Sequence, residues 1–421
     1  MKQRAIYLRI LIASLVALLA ACGSDTPAAT ETDTESTDPM HFGRATLGVE
    51  QTESVGRAAG TALQAGFLVS TYKAYGDVAR QQTVMDRYEA RYKADNWSNS
   101  AKWETVGTQA EGFYQTQYTR YWDYAHFPYR FHALSPCPKD DGTNTLLTGF
   151  ELTDTRLTLP PSVAFQSQTV TDGILTPTTG IDPYVVAQAE RRSADNGSTA
   201  TDHDLLSATP DAPIHTGSGS QPNRAVSLPF HHLTAKVRFG IYTTVPGDEL
   251  TRHAIHHVTF NARSATGFCT AAKGYSATLG GSTGNFLQGT FGSPTRLAAN
   301  ADQQLLYFGD TTQDSENAVL EKHLSKADAY FFRAEQGLVQ IPQTGVELSG
   351  TVCVGSMIYT IDRLTVTDAN GQPQTQFDWQ PGRLYTYYIV VTNLQPLQIN
   401  FTASLADWED VDAELSTDLE Q

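Results

Sequence analysis

Apolar and polar residues alternate with a period of two over much of the chain, most clearly near its end. Leu397, Ile399, Phe401 and Ala403 interleave with Gln398, Asn400, Thr402 and Ser404, which predicts a strand with one buried and one wet face. Ahead of it, Leu384 to Thr392 is dense in aromatic and β-branched residues and predicts a partner strand. The turn Gln380-Pro381-Gly382 introduces that strand, because proline presets one turn torsion and glycine permits the next. Val237, Phe239 and Ile241 alternate in the same way with Lys236, Arg238 and Gly240. Further strands are expected around Gly66–Tyr75, Pro128–Ser135, Asp182–Gln188, His256–Phe260, Ala329–Phe332, Val352–Val354 and Met357–Ile361. Residues 80–93 suit a short helix or a strand, and the polar run Arg191 to Asn223 predicts an excursion or an inter-domain loop. Long helical periodicities are scarce, so the fold class is all-β.

The pattern changes at the start of the chain. Lys2, Arg4 and Arg9 precede an apolar run from Ile10 to Ala21, too short for a durable membrane span and typical of an export signal. It ends in Leu19-Ala20-Ala21-Cys22-Gly23, which matches a lipobox, so Cys22 is expected to carry lipid and to lead an outer-membrane lipoprotein precursor. Each buried methylene adds about 0.8 kcal/mol, so two or three acyl chains hold a protein durably. Residues 1–21 are therefore a signal peptide. Residues 22–44 are rich in Ser, Thr, Asp, Glu and Pro, and read as a disordered tether or propeptide. The remaining length is too great for one ordinary domain and suits two, placed at 45–223 and 224–421.

Composition narrows the function. The net charge is −16, and loss of Lys2, Arg4 and Arg9 with the signal takes it to −19. Such acidity argues against nucleic-acid binding, which needs a basic face. No HExxH, GxSxG or glycine loop leading into Lys-Ser/Thr occurs, so neither catalytic residues nor a cofactor are expected. His253, His256 and His257 are close in sequence, but alternation sends His256 to the face opposite the other two, and no metal is expected. An aromatic series, Trp97, Trp103, Tyr114, Tyr118, Tyr121, Trp122 and Tyr124, suits a sandwich core better than a sugar-stacking platform. Cys137, Cys269 and Cys353 are either buried thiols or include a disulfide between Cys269 and Cys353.

Several ordered motifs resemble the fimbrillin family, the subunits of type V pili. They are Gly66-Phe67, Met85-Asp86, Trp103, Tyr121-Trp122 and Phe131-x-Ala133-x-Ser135-Pro136 in the first half. In the second half they are Phe230-x-His232-x-x-Ala235-Lys236-Val237-x-Phe239, Trp379-x-Pro381-Gly382, Tyr385-x-Tyr387-x-Ile389-x-Val391 and Asp407-Trp408. Asp123 stands where the family usually has proline. The resemblance implies two tandem transthyretin-like β-sandwich domains and a structural or tip pilin serving cell adhesion, with other pilin subunits as partners. It also implies cleavage after an arginine, Arg44 before Ala45 or, second, Arg57, followed by strand complementation. Two competing readings are a non-polymerising surface lipoprotein that binds glycans and a hydrolase with an unrecognised site; host or bacterial surface glycans or proteins are the further partners expected.

Overall fold

The computed structural model describes residues 38–47, 63, 66–75, 77–92, 103–105, 117–138, 146–176, 184–193, 200–207, 214, 225–247, 253–279, 284–309, 317–332, 337–367, 372–394 and 397–407. Among them nearly all regular structure is strand, and helical structure is limited to short 3-10 turns such as Phe286–Gln288. The alternation read from the sequence is thus realised as sheets packed into sandwiches.

An eight-stranded central sheet organises the first unit. Its order is Ala200–Asp204, Val185–Ser193, Val226–His232, Phe42–Leu47, Trp103–Thr105, Asp77–Tyr92, Phe67–Tyr75 and Tyr129–Ser135. Strand Val185–Ser193 also pairs with Tyr129–Ser135, so the sheet folds back on itself. The space it encloses holds Phe42, Phe67, Met85, Trp122, Phe131 and Phe230. Burying each such side chain contributes about 1.5–3 kcal/mol. Its outer face, through Leu68, Leu134 and Val186, packs on a five-stranded sheet built around Arg156–Gln166 and Cys269–Thr278.

The second unit is a sandwich of a seven-stranded and a four-stranded sheet. The first runs Met357–Ile361, Gln343–Val354, Ile255–Ser264, Gln303–Phe308, Val170–Thr171 and Ile174–Leu175, with Phe377–Trp379 beside Gln343–Val354. The second runs Leu338–Gln340, Ala235–Thr243, Arg383–Leu394 and Leu397–Asp407. Phe239 stacks on Phe260 across the sandwich, with ring centroids 4.1 Å apart. Trp379 Nε1 donates to the Tyr387 hydroxyl at 3.1 Å, and burial pushes that hydroxyl far above the ordinary tyrosine range. The expected C-terminal strand pair is present, in antiparallel register from Arg383↔Asp407 to Leu394↔Leu397.

The two halves of the chain are interleaved. Val170–Thr171 pairs with Gln303–Phe308, while Cys269–Thr278 pairs with Arg156–Gln166. A polar seam joins the units: Gln168 N–H donates to the Val339 carbonyl at 2.7 Å, and Val339 N–H donates to Gln168 Oε1 at 2.9 Å. The Ser167 hydroxyl accepts from Ile341 N–H at 3.2 Å.

Four local expectations change. Residues 80–93, open between helix and strand, are largely strand, within Asp77–Tyr92. The presumed polar excursion after Arg191 contains strand Ala200–Asp204 and a fully buried arginine, because Asp202 neutralises it. Ala329–Phe332 is no full strand; only Tyr330 bridges to Ile241. His256 and His257 both lie between the core residues Ile255 and Val258, because a bulge with φ of 44° at His257 breaks the alternation.

Candidate subunit-assembly site

The segment from Asp38 to Leu47 is where the structure departs furthest from a featureless tether. Met40 and Phe42 are two residues apart, so in an extended chain both point to one face, and both are buried. Phe42 is 1% exposed and meets Phe67 and Phe131 edge-on, with centroids 5.6 and 6.1 Å away. Polar composition hid this alternation of only two side chains.

Backbone pairing holds the segment from two directions. Met40 N–H donates to the Arg120 carbonyl at 2.8 Å, Trp122 N–H donates to the Asp38 carbonyl at 3.0 Å, and Pro39 bridges Tyr121. The Tyr124 hydroxyl donates to Asp38 Oδ2 at 2.8 Å. From Phe42 onward the chain runs parallel to Val226–His232, from Phe42↔Val226 to Leu47↔Phe230 with one register shift between Phe42 and Arg44. On its other side, among the described residues, it meets Trp103–Thr105 only at Phe42↔Trp103. Among the described residues, strand Phe42–Leu47 is thus laddered along one edge and touched at a single position on the other.

A buried ion pair frames this slot. Arg191 donates to both Asp202 oxygens at 2.7 and 3.0 Å, and its guanidinium lies 4.6 Å from the centre of the Trp122 ring. Asp202 Oδ2 also accepts from Ser227 N–H at 3.2 Å, on the strand that receives Phe42–Leu47. One carboxylate therefore fixes three strands and, through Arg191, the indole whose backbone holds Asp38. Nearby, Asp123 takes hydrogen bonds from Lys73 and His126. Burial alone would raise its pKa, but these two partners outweigh burial and hold it below the usual carboxylate range.

The expected site residues fall in different places. Cys22 and Arg57 lie outside the described residues. Arg44 and Ala45 lie within strand Phe42–Leu47, opposite Ser227 and Leu228, so the expected tether ending at residue 44 would end inside a paired strand. Cys137, Cys269 and Cys353 are thiols; Cys269 begins a strand of the five-stranded sheet, whereas Cys353 sits in the seven-stranded one opposite His256 and Ile358. His256 Nε2 is 2.6 Å from the Gly355 carbonyl. Among the described residues no group of three or more His, Cys, Asp or Glu side chains is arranged to hold a metal ion. Of the aromatic series, Trp122 is core, while Tyr118 and Tyr121 are about half exposed. Sequence reasoning missed Asp38, Met40, Phe42, Arg191 and Asp202; the apolar pair Met40 and Phe42, two apart in a polar run, was the signal available.

No family model and no curated protein matches the chain. Solved structures do. It is similar to a candidate cell adhesion protein of Bacteroides uniformis, at 14% identity and a TM-score of 0.34, over 90% of this chain and 100% of that one. A candidate cell adhesion protein of Bacteroides ovatus matches at 13% identity and a TM-score of 0.38, again over 90% and 100%. A fimbrial protein of Bacteroides vulgatus matches at 13% identity and a TM-score of 0.35, over 88% of this chain and 99% of that one.

Proposed function

We propose that the chain is a cell-surface fimbrial subunit serving adhesion, exported as a lipoprotein through Cys22 and assembled by exchange of its first strand. The observation that carries this reading is the one-sided, parallel docking of Phe42–Leu47, with Met40 and Phe42 in the core. A strand held this way is removable without dismantling the sheet around it, and the slot it leaves suits an extended strand of another subunit.

Geometry favours Arg57 over Arg44 as the processing site. A protease acts on an accessible, extended backbone, and Arg44 is engaged with Ser227. A cut after Arg44 would also leave Ala45–Leu47 in the slot, whereas a cut after Arg57 would free the whole strand. The apolar alternation from Leu397 to Ala403 makes it the stretch of the C-terminal region best suited to fill such a slot, but strand Leu397–Asp407 is paired along its length with Arg383–Leu394. Among the described residues the C-terminal strand is thus occupied within its own subunit, which supports reading the chain as a strand acceptor suited to a tip.

Arginine-specific proteolysis of the purified chain tests both points. Arg57→Ala is expected to resist processing and Arg44→Ala to behave as wild type; the converse result would move the site to Arg44. Cleaved wild type is expected to cap a polymer without extending it, and self-polymerisation would make it a stalk subunit. Labelling with a palmitate analogue tests the anchor, since Cys22→Ser should lose both label and membrane retention. The second reading, a glycan-binding lipoprotein, draws on the exposed rings of Tyr118 and Tyr121. Glycan-array binding by uncleaved protein, abolished by alanine at both positions, would support it.

A further inference from the structure

The slot that holds the first strand makes a different demand at each of five successive positions. Residues 38 and 40 supply the backbone contacts at its entrance: the Asp38 carbonyl accepts from Trp122 N–H, and Met40 N–H donates to the Arg120 carbonyl. Position 39 lies between these two bonds and is asked for no N–H, so Pro39 is accommodated there. The Asp38 carboxylate is engaged as well, since its Oδ2 accepts from the Tyr124 hydroxyl at 2.8 Å. One residue beyond Met40, the His41 carbonyl accepts from Val226 N–H at 2.7 Å, on the strand that runs parallel.

Two of the five positions are read through their side chains in the core. Phe42 meets Phe67 and Phe131 edge-on, and edge-to-face ring contacts favour an aromatic over an aliphatic group of similar size. Met40 is 6% exposed in the same core and is unbranched, a side chain that adapts to an irregular gap.

We propose that this slot selects its occupant by sequence: an extended strand of another subunit carrying a carboxylate, an aliphatic side chain two residues on, and an aromatic ring two residues further. The proposal rests on the strand-exchange reading above and names the partner's chemistry. The order is directional, because the occupant runs parallel to Val226–His232. The C-terminal region of a second copy meets the demand poorly. Residues 409–421 contain no aromatic residue. Ile399 and Phe401 have the aliphatic-to-aromatic spacing, but Leu397 stands in place of the carboxylate, and both are paired, with Val391 and Ile389, in their own subunit. The fitting partner is therefore a different chain.

Two measurements on the full chain test the proposal and separate it from the reading beneath it. In the first, Met40→Phe with Phe42→Met keeps composition and reverses the order of the two core side chains. The amides of Trp122 and Val226, which donate to the segment, should then exchange at least about tenfold faster. Asp38→Ala should speed them severalfold. Wild-type exchange in the doubly substituted chain would overturn the proposal and leave strand exchange standing. In the second, the Phe42→Ala chain, with its own strand loosened, is titrated with a fluorescein-labelled peptide of residues 37–48 and followed by anisotropy. The peptide should enter the slot, its Phe42→Leu form should bind about tenfold more weakly, and the same residues in reversed order should not bind. Equal binding by the leucine or the reversed peptide would overturn the proposal. Entry by none of them, with the first measurement as expected, would instead reject strand exchange.

Discussion

Replacing Phe42 by alanine should loosen the first strand while leaving the rest of the molecule folded. The ring is 1% exposed and packs edge-on against Phe67 and Phe131, which themselves stay anchored on fully paired strands. Truncating a buried phenylalanine costs about 3–5 kcal/mol, from lost transfer energy and the cavity left behind. Because, among the described residues, Phe42–Leu47 is laddered on one edge only, that cost falls on docking of the strand before it falls on the whole fold. At 1.4 kcal/mol per factor of ten, the undocked population should rise roughly a hundredfold or more. Cleavage that proceeds through brief opening follows that population. The assay is the rate of cleavage after Arg44, inside the strand, under native conditions in an Arg57→Ala background, read by mass spectrometry. Phe260→Ala is the control, since Phe260 is equally buried but belongs to the second unit. The reasoning fails if Phe42→Ala is cut at the wild-type rate, or if Phe260→Ala accelerates cleavage as much.

Three further outcomes are expected. Burial lowers the pKa of His132 from 6.5 to about 4, so stability is full above about 6.5 and falls as pH drops towards 4, by about 3 kcal/mol; urea midpoints across that window should fall less for His132→Gln than for wild type. Asp202→Ala strands the fully buried Arg191 without its counter-charge, which should cost about 3–5 kcal/mol in denaturant unfolding; a loss below about 1 kcal/mol would show that the pair is not buried as described. Gly350→Ala would bring a Cβ to 2.1 Å from the Thr259 carbonyl of the neighbouring strand, so a loss of about 1–3 kcal/mol should appear as a lowered melting temperature.

Period-two patterns were legible wherever several apolar residues recur together. The Leu384–Thr392 strand and its partner, the opening Gly66–Tyr75 strand and the Phe239 strand all lie where alternation places them. What escaped were cases in which one interaction decides the outcome. Two buried side chains, Met40 and Phe42, suffice to dock a segment whose average composition is that of a linker. Arg191 and Asp202 each suggest solvent exposure, and only their pairing across neighbouring strands makes a core element of both. The slot itself arises from a parallel pairing between residues 42–47 and 226–230, a long-range match that no local pattern encodes.

Strand Val226–His232 continues after Leu233 and Thr234 into strand Ala235–Thr243, and this line has mechanical meaning. Its first part lies parallel to Phe42–Leu47 and its second part lies parallel to Arg383–Leu394. A pull toward the N-terminus of the first strand, opposed by a pull toward the C-terminal end of this line, loads the parallel ladder in shear. Its hydrogen bonds then bear the force together, whereas unzipping would break them one by one. Single-molecule stretching along this axis should therefore show one abrupt rupture at high force, and a gradual low-force plateau would rule the geometry out. In the proposed assembly, this geometry would let a subunit resist drag along the fibre while its occupant strand could still peel away when unloaded.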